Sequence, residues 1–288
     1  MFADAIEKVT GFTRPVNTIL RTYGSKQVIA SSASLFFVNN QAEALTCKHV
    51  TRWLGMAEKL NQQYQLFKQE LRSITHSSQQ LALEKKYGYT NGQVVQMKTT
   101  FVDCVNSMSG FTCWEHPDAD LALIKFHGFE KILYQGYASF PGASITVRPG
   151  NQLCRIGFPF TAFNNFRYNE PLDDIEWTPT GIPSTPIFPI EGMVTRYLPQ
   201  QGIEMSTPGY PGHSGGPLFN NLGTVVGIQT ATRHLALGTF PDQVSLNNPG
   251  GIAEWKGQAV AHLGQCISHE LITTFLKDRG VHFSTEPS

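Results

Sequence analysis

The sequence carries no surplus of charge: 22 Lys and Arg offset 22 Asp and Glu, leaving a formal net charge of zero. With no long basic or acidic run, capture of nucleic acid or of an anionic membrane by bulk electrostatics is excluded. Long apolar runs are missing too, and none approaches the roughly 20 residues of a membrane-crossing helix. The opening residues, Met1 to Lys8, lack the basic-then-apolar layout of a secretory leader. The expected compartment is the cytoplasm, or the outside of a cell by export without an N-terminal signal peptide. Cysteines are few and odd in number, five in all, which argues against a disulfide framework. Cys104, Cys113, His116 and Cys154 lack the close pairs of a zinc knuckle, so reduced thiols are expected, with no metal and no cofactor. There are no repeats and no low-complexity tract.

What is present is a serine set among glycines, Gly212-His213-Ser214-Gly215-Gly216-Pro217. Glycines allow backbone conformations that other residues resist, so such a turn can expose the hydroxyl and aim nearby N–H groups at one point. An oxyanion forms at that point when a serine attacks a carbonyl, and Gly212 and Ser214 are the candidate N–H donors. Two further segments supply partners. Ala44-Leu45-Thr46-Cys47-Lys48-His49-Val50 reads as a hairpin strand ending at His49. Asp118-Ala119-Asp120-Leu121-Ala122-Leu123-Ile124-Lys125 sets an acid directly before a buried strand, with Asp118 the competitor of Asp120. In this constellation His49 is the general base, Asp120 orients and stabilises it, and Ser214 is the nucleophile.

The order His, Asp, Ser is that of two-barrel chymotrypsin-like proteases. At these segments the chain resembles trypsin-like serine peptidases, in pattern nearest to bacterial HtrA-type protease domains, here without a PDZ module. Further matches are Pro149 to Pro159, Glu191 to Val194, Val225 to Ala231 and Gln265 to Leu276. The resemblance covers roughly residues 25–280. It implies an all-β fold with helical insertions: two six-stranded antiparallel β-barrels and a C-terminal helix. The expected layout is a helix and extended lead-in over 1–22 and a peptidase domain over 23–280. Barrel 1 spans about 23–135, barrel 2 about 144–268, and the closing helix about 268–279. The resemblance also implies a bacterial serine endopeptidase acting on a protein or peptide, with no nucleic acid or membrane partner. His213 stands where the digestive enzymes carry an aspartate, so activation by a new N-terminal ion pair is not expected. Regulation by loop order or partner binding is.

Residues 51–86 depart from that pattern. Trp53, Ala57, Leu60, Tyr64, Phe67, Leu71 and Ile74 recur at spacings of three and four, a single helical stripe. A second short helix is expected after Ser77. The stripe either packs on the first barrel or offers a surface to a partner or another subunit. Residues 160–190 read as a long irregular segment with Asp173, Asp174 and Glu176 together in solvent, and 235–261 as a Gly/Pro/Asn-rich surface loop. The primary pocket is expected between Pro208 on one side and Gln229, Thr230, Ala231 and Thr232 on the other. No acid, lysine or arginine lies there, which favours a small or medium apolar side chain, with His234 as an exposed neighbour. Two alternatives share these residues: a catalytically silent binding module on a protease fold, and an esterase using the same three side chains.

Overall fold

The computed structural model describes residues 2–142, 146–236 and 260–286. The N-terminal half runs α1 (Ala3–Thr10), β1 (Thr13–Thr22), β2 (Val28–Phe37), β3 (Glu43–Thr46), α2 (Lys48–Leu71), α3 (Ser77–Tyr87), β4 (Val94–Phe101), β5 (Val105–Asn106), β6 (Gly110–Glu115), β7 (Ala122–His127), β8 (Lys131–Ile132) and β9 (Ser139–Phe140). The C-terminal half runs β10 (Gln152–Gly157), β11 (Phe166–Asn169), β12 (Asp174–Trp177), β13 (Phe188–Leu198), β14 (Gly202–Met205), β15 (Pro217–Phe219), β16 (Val225–Ala236), β17 (Val260–Ser268), α4 (His269–Asp278) and β18 (Ser284–Thr285).

Six strands of the first half form one antiparallel sheet in the order β4-β1-β2-β3-β7-β6. Its end strands are not hydrogen-bonded to each other, but the sheet curls until Phe101 of β4 and Phe111 of β6 meet edge to face at 5.1 Å. The second half closes fully, in the order β10-β13-β14-β17-β16-β15. The architecture is thus the expected chymotrypsin-like one, with a closed six-stranded barrel and a half-barrel. One continuous apolar core joins the two halves, drawing Phe36 and Leu45 from the first, Ile156 and Phe219 from the second, and Ile272 and Leu276 from α4. A smaller core of Leu153, Val194, Ile203, Leu218 and Val226 fills the second barrel.

Several boundaries differ from those read in the sequence. Residues 13–22 are not a lead-in: they form β1, the strand paired with both β2 and β4. Its pattern is masked because Thr13, Asn17 and Arg21 are polar yet buried. Each finds partners in the fold: Thr13 donates to the Val9 carbonyl, Asn17 to the Pro183 carbonyl, and Arg21 to Gln96 and Tyr64. Segment 160–190 is not wholly irregular either, since β11 and β12 form an antiparallel hairpin. Its acids are not free in solvent. Asp173 pairs with Arg21 at 2.8 Å, Asp174 with Lys98 at 2.8 Å, and Glu176 with Arg167 at 2.6 Å. The loop expected over 235–261 lies almost entirely outside the described residues, as does the expected start of barrel 2 at Ser144.

The inserted helices pack on the chain itself over most of the stripe. Tyr64 and Phe67 are buried with Leu83, Tyr89 and Val95, and Leu71 and Ile74 pack beside them. Asn61 treats the sheet edge as a strand would: its amide donates to the Met97 carbonyl at 2.7 Å and accepts the Met97 N–H at 3.0 Å. At Met97 the outer edge of β4 is thereby satisfied rather than left open. Trp53 is the exception to the packed stripe, 45% exposed near the start of α2.

Candidate active site

The register of the first sheet brings the first two segments together. In the β3–β7 pair Thr46 lies opposite Ala122, so the end of one strand meets the beginning of the other. The residues just after Thr46 therefore face those just before Ala122. The chain turns into α2 at Lys48, so His49 sits in the first turn of the inserted helix and not at the end of a strand. Helix first turns leave N–H groups without intrahelical partners. Asp120 satisfies that of His49, accepting its backbone N–H on Oδ1 at 2.9 Å while Oδ2 lies 2.8 Å from the ring Nδ1. One carboxylate thus caps the helix and fixes the ring, leaving Nε2 as the ring's free nitrogen. Burial alone would raise the Asp120 pKa, but the hydrogen bonds from the His49 ring and backbone and from Lys48 outweigh it, and the net shift is downward. Asp118 is exposed and makes no such contact, so the carboxylate beside His49 is that of Asp120. Lys48 steadies the acid-bearing loop by donating to the carbonyls of His116 and Pro117 at 2.7 and 2.8 Å.

The Ser214 turn is anchored across the seam between the halves. Ser34 of β2 donates its N–H to the Ser214 carbonyl at 2.8 Å and its hydroxyl to the Gly212 carbonyl at 2.7 Å. Thr46 in turn donates to the Ser34 carbonyl at 2.8 Å. Gly212 has φ +105°, and a Cβ there would stand 2.4 Å from the Phe158 carbonyl oxygen. Gly215, at φ +85°, would put one 2.0 Å from the Ser34 carbonyl oxygen. No other residue fits either place. Among the described residues the N–H groups of Gly212 and Ser214 have no acceptor, while those of His213, Gly215 and Gly216 are bonded to Tyr210, Gln229 and His213.

His49, Gly212 and Ser214 line one cavity. The Ser214 hydroxyl is not hydrogen-bonded to His49; it points to the Thr230 carbonyl at 3.5 Å. That carbonyl is available because β16 bulges between Gln229 and Ala231, leaving Thr230 outside the β17 register. His213 faces away from the cavity and is fully buried. Its Nε2 donates to the Phe188 carbonyl at 3.0 Å and its Nδ1 accepts the Tyr210 N–H at 3.3 Å, which fixes a neutral ring. Burial drives its pKa down to about 4, with the Arg155 charge adding to the effect.

A second cavity shares Pro211 and Ser214 with the first and is lined by all five residues expected of the primary pocket, Pro208, Gln229, Thr230, Ala231 and Thr232. His234 and His262 complete it, their Nδ1 atoms 2.6 Å apart. Thr232 ties its two walls by donating to the Gly209 carbonyl at 2.6 Å. Behind it Arg155, 1% exposed, donates to Gln229 Oε1 at 2.7 Å and to the Pro208 carbonyl at 2.7 Å. Arg155, Ser34 and His262 carry no sequence signal of a role here. Each acts through residues distant along the chain.

Among the described residues one group could hold a metal ion by proximity, Cys47 with His49 and Asp120. Its chemistry points elsewhere. Cys47 is fully buried, burial and the Asp120 charge hold its thiol pKa well above the ordinary value, and it donates to the Gln229 carbonyl at 3.3 Å. A protonated thiol already engaged as a donor is not a metal ligand. Cys104, Cys154 and Cys266 are also buried free thiols, with Cys113 half-buried.

Among curated proteins none matches this chain. Residues 33–228, which contain His49, Asp120 and Ser214 and make up over half of the sequence, match the trypsin-like peptidase domain, and the chain belongs to that family.

Proposed function

We propose that the protein is a serine endopeptidase that hydrolyses peptide bonds through an acyl-enzyme on Ser214. The observation that carries this reading is the 2.8 Å contact of His49 Nδ1 with Asp120 Oδ2, beside a cavity shared with a serine whose turn holds two unbonded N–H groups. A bound peptide places its scissile carbonyl carbon at Ser214 and its oxygen toward the N–H groups of Gly212 and Ser214. Rotation of the Ser214 hydroxyl off the Thr230 carbonyl brings it to His49 Nε2. As Oγ attacks, its proton passes to Nε2, and Asp120 stabilises the imidazolium so formed. The tetrahedral oxyanion takes two hydrogen bonds that the resting protein leaves unmade, each worth about a hundred- to a thousandfold in rate. Collapse releases the amine with the proton from Nε2, leaving the acyl group on Ser214, and water repeats the sequence to free the acid.

The pocket between Pro208 and Gln229 to Thr232 receives the side chain before the scissile bond. Its walls carry no carboxylate, lysine or arginine. A small or medium apolar side chain fits best. The test is labelling by a fluorophosphonate probe: Ser214 is modified in the native protein, and Ser214→Ala is not. Peptide turnover falls about a millionfold in that variant. Native protein that neither labels nor cleaves denatured polypeptide would overturn the reading.

A further inference from the structure

The cavity on the His49 side of Ser214 has a volume of about 240 Å³ and is walled by parts of the molecule that the reaction itself does not require. Val16 and Leu20 come from β1, Ala33 from β2, and Val50, Trp53 and Leu54 from the inserted helix α2. Thr18, Ser31 and Ser32 add polar atoms to those of His49, Gly212 and Ser214, and no carboxylate, lysine or arginine lines it. Trp53 is left 45% exposed although Tyr64, Phe67, Leu71 and Ile74 of the same helical stripe are packed away. An exposed indole at the wall of an apolar hollow has area to cover.

Position along a bound substrate follows from proton chemistry. His49 must deliver its proton to the leaving amine, so the residue that carries this amine lies on the His49 side of Ser214. The cavity holding His49 therefore lies under the residue that follows the scissile bond, while the pocket of Gln229 to Thr232 takes the residue that precedes it. A dry cavity of about 150 Å³ accommodates a benzene ring. The larger hollow here has room for a leucine or phenylalanine side chain.

We propose that this cavity selects an apolar side chain, of the size of leucine or phenylalanine, on the residue directly after the cleaved bond, with Trp53 of the inserted helix as the specificity-determining wall. The inference rests on the acyl-enzyme reading above and assigns the insertion a part in substrate choice. In this role the insertion is not a distant ornament, because α2 begins within the His49 segment and Val50, Trp53 and Leu54 of its first two turns line the same cavity as His49.

Partitioning of the acyl-enzyme isolates this site from the other pocket. An ester of a small acyl group acylates Ser214; an added amino-acid amide then competes with water for the acyl carbonyl. Its amine nitrogen forms the new amide bond, the Ser214 oxygen leaves, and the amine proton passes through His49 to that oxygen. By reversal of the cleavage step the amide occupies the leaving-residue site. Leucinamide and phenylalaninamide should trap the acyl group at least about tenfold better than glycinamide or aspartamide, since even one methylene in an apolar pocket changes rates by about tenfold or more. Trp53→Ala, which removes the wall, and Ser31→Trp, which fills the hollow from its exposed rim, should each bring that ratio close to one while ester consumption continues. A preference for glycinamide or aspartamide in the native protein, or a leucinamide preference that survives both substitutions, overturns this inference and leaves the acyl-enzyme intact. Native protein that consumes ester no faster than Ser214→Ala removes the acyl-enzyme reading, and this one with it.

Discussion

Acid should loosen the nucleophile turn through His213. The ring is fully buried, and burial first, then the Arg155 charge, push its pKa down to about 4. An unfolded chain offers the same imidazole to water, where it titrates near 6.5. Between those values the unfolded state binds a proton that the native ring refuses, so stability falls as the pH is lowered. The contribution is complete above about pH 6.5 and is lost as the pH drops through about 4, and the gap between the two values corresponds to about 3 kcal/mol. That is a large share of the 5–15 kcal/mol on which folded domains generally rest. Protonation also has a local consequence. Nδ1 accepts the Tyr210 N–H at 3.3 Å, and a proton there would set two N–H groups against each other inside the turn that carries Gly212 and Ser214.

The comparison that isolates this residue is urea unfolding of native protein and His213→Gln at pH 7 and pH 4.5. Glutamine can still donate to the Phe188 carbonyl but has no proton to gain. His269 is likewise buried with a lowered pKa and contributes its own acid loss, but equally to both proteins. The native protein should lose about 2 kcal/mol or more over this interval beyond what the variant loses. Curves of stability against pH that run parallel for the two proteins would refute the assignment of the buried neutral ring.

Four further outcomes follow from single contacts. Asp120→Asn keeps the shape but no longer holds Nδ1 protonated, and should lower kcat about ten-thousandfold while Ser214 remains in place. Gly212→Ala sets a methyl 2.4 Å from the Phe158 oxygen at φ +105°, and should cost more than about 1 kcal/mol in urea unfolding along with a hundredfold or greater loss of kcat. Ser34→Ala removes the 2.7 Å bond to the Gly212 carbonyl, and should cost about 1 kcal/mol in stability but about tenfold or more in kcat, because the freed Gly212–His213 peptide lies between the two N–H groups proposed to bind the oxyanion, those of Gly212 and Ser214. Asp173→Ala leaves the buried Arg21 guanidinium without its carboxylate, and should destabilise the protein by about 2 kcal/mol with KM and kcat nearly unchanged.

The residues of the candidate site are legible because each sits in a short segment with its own local signature. Glycines mark the Ser214 turn, a run of four apolar residues follows Asp120 almost at once, and a buried strand precedes His49. What escaped was whatever depends on partners far along the chain. Ser34 reaches Gly212 across 178 positions, and Asn17 reaches the Pro183 carbonyl across 166. For β1 the consequence was a strand read as a lead-in, since a buried polar face breaks the alternation on which strand recognition depends. The start of α2 was hidden by a related cause. Ala44 to Val50 is apolar enough to pass for one continuous strand, and the helix begins inside it where Asp120, 71 residues on, caps the His49 N–H. That single carboxylate ties an insertion of this size directly to the candidate site. The bond that starts the helix also orients the imidazole, so α2 and the His49 ring are held by one acid, and a long helix grows from the active site without displacing it.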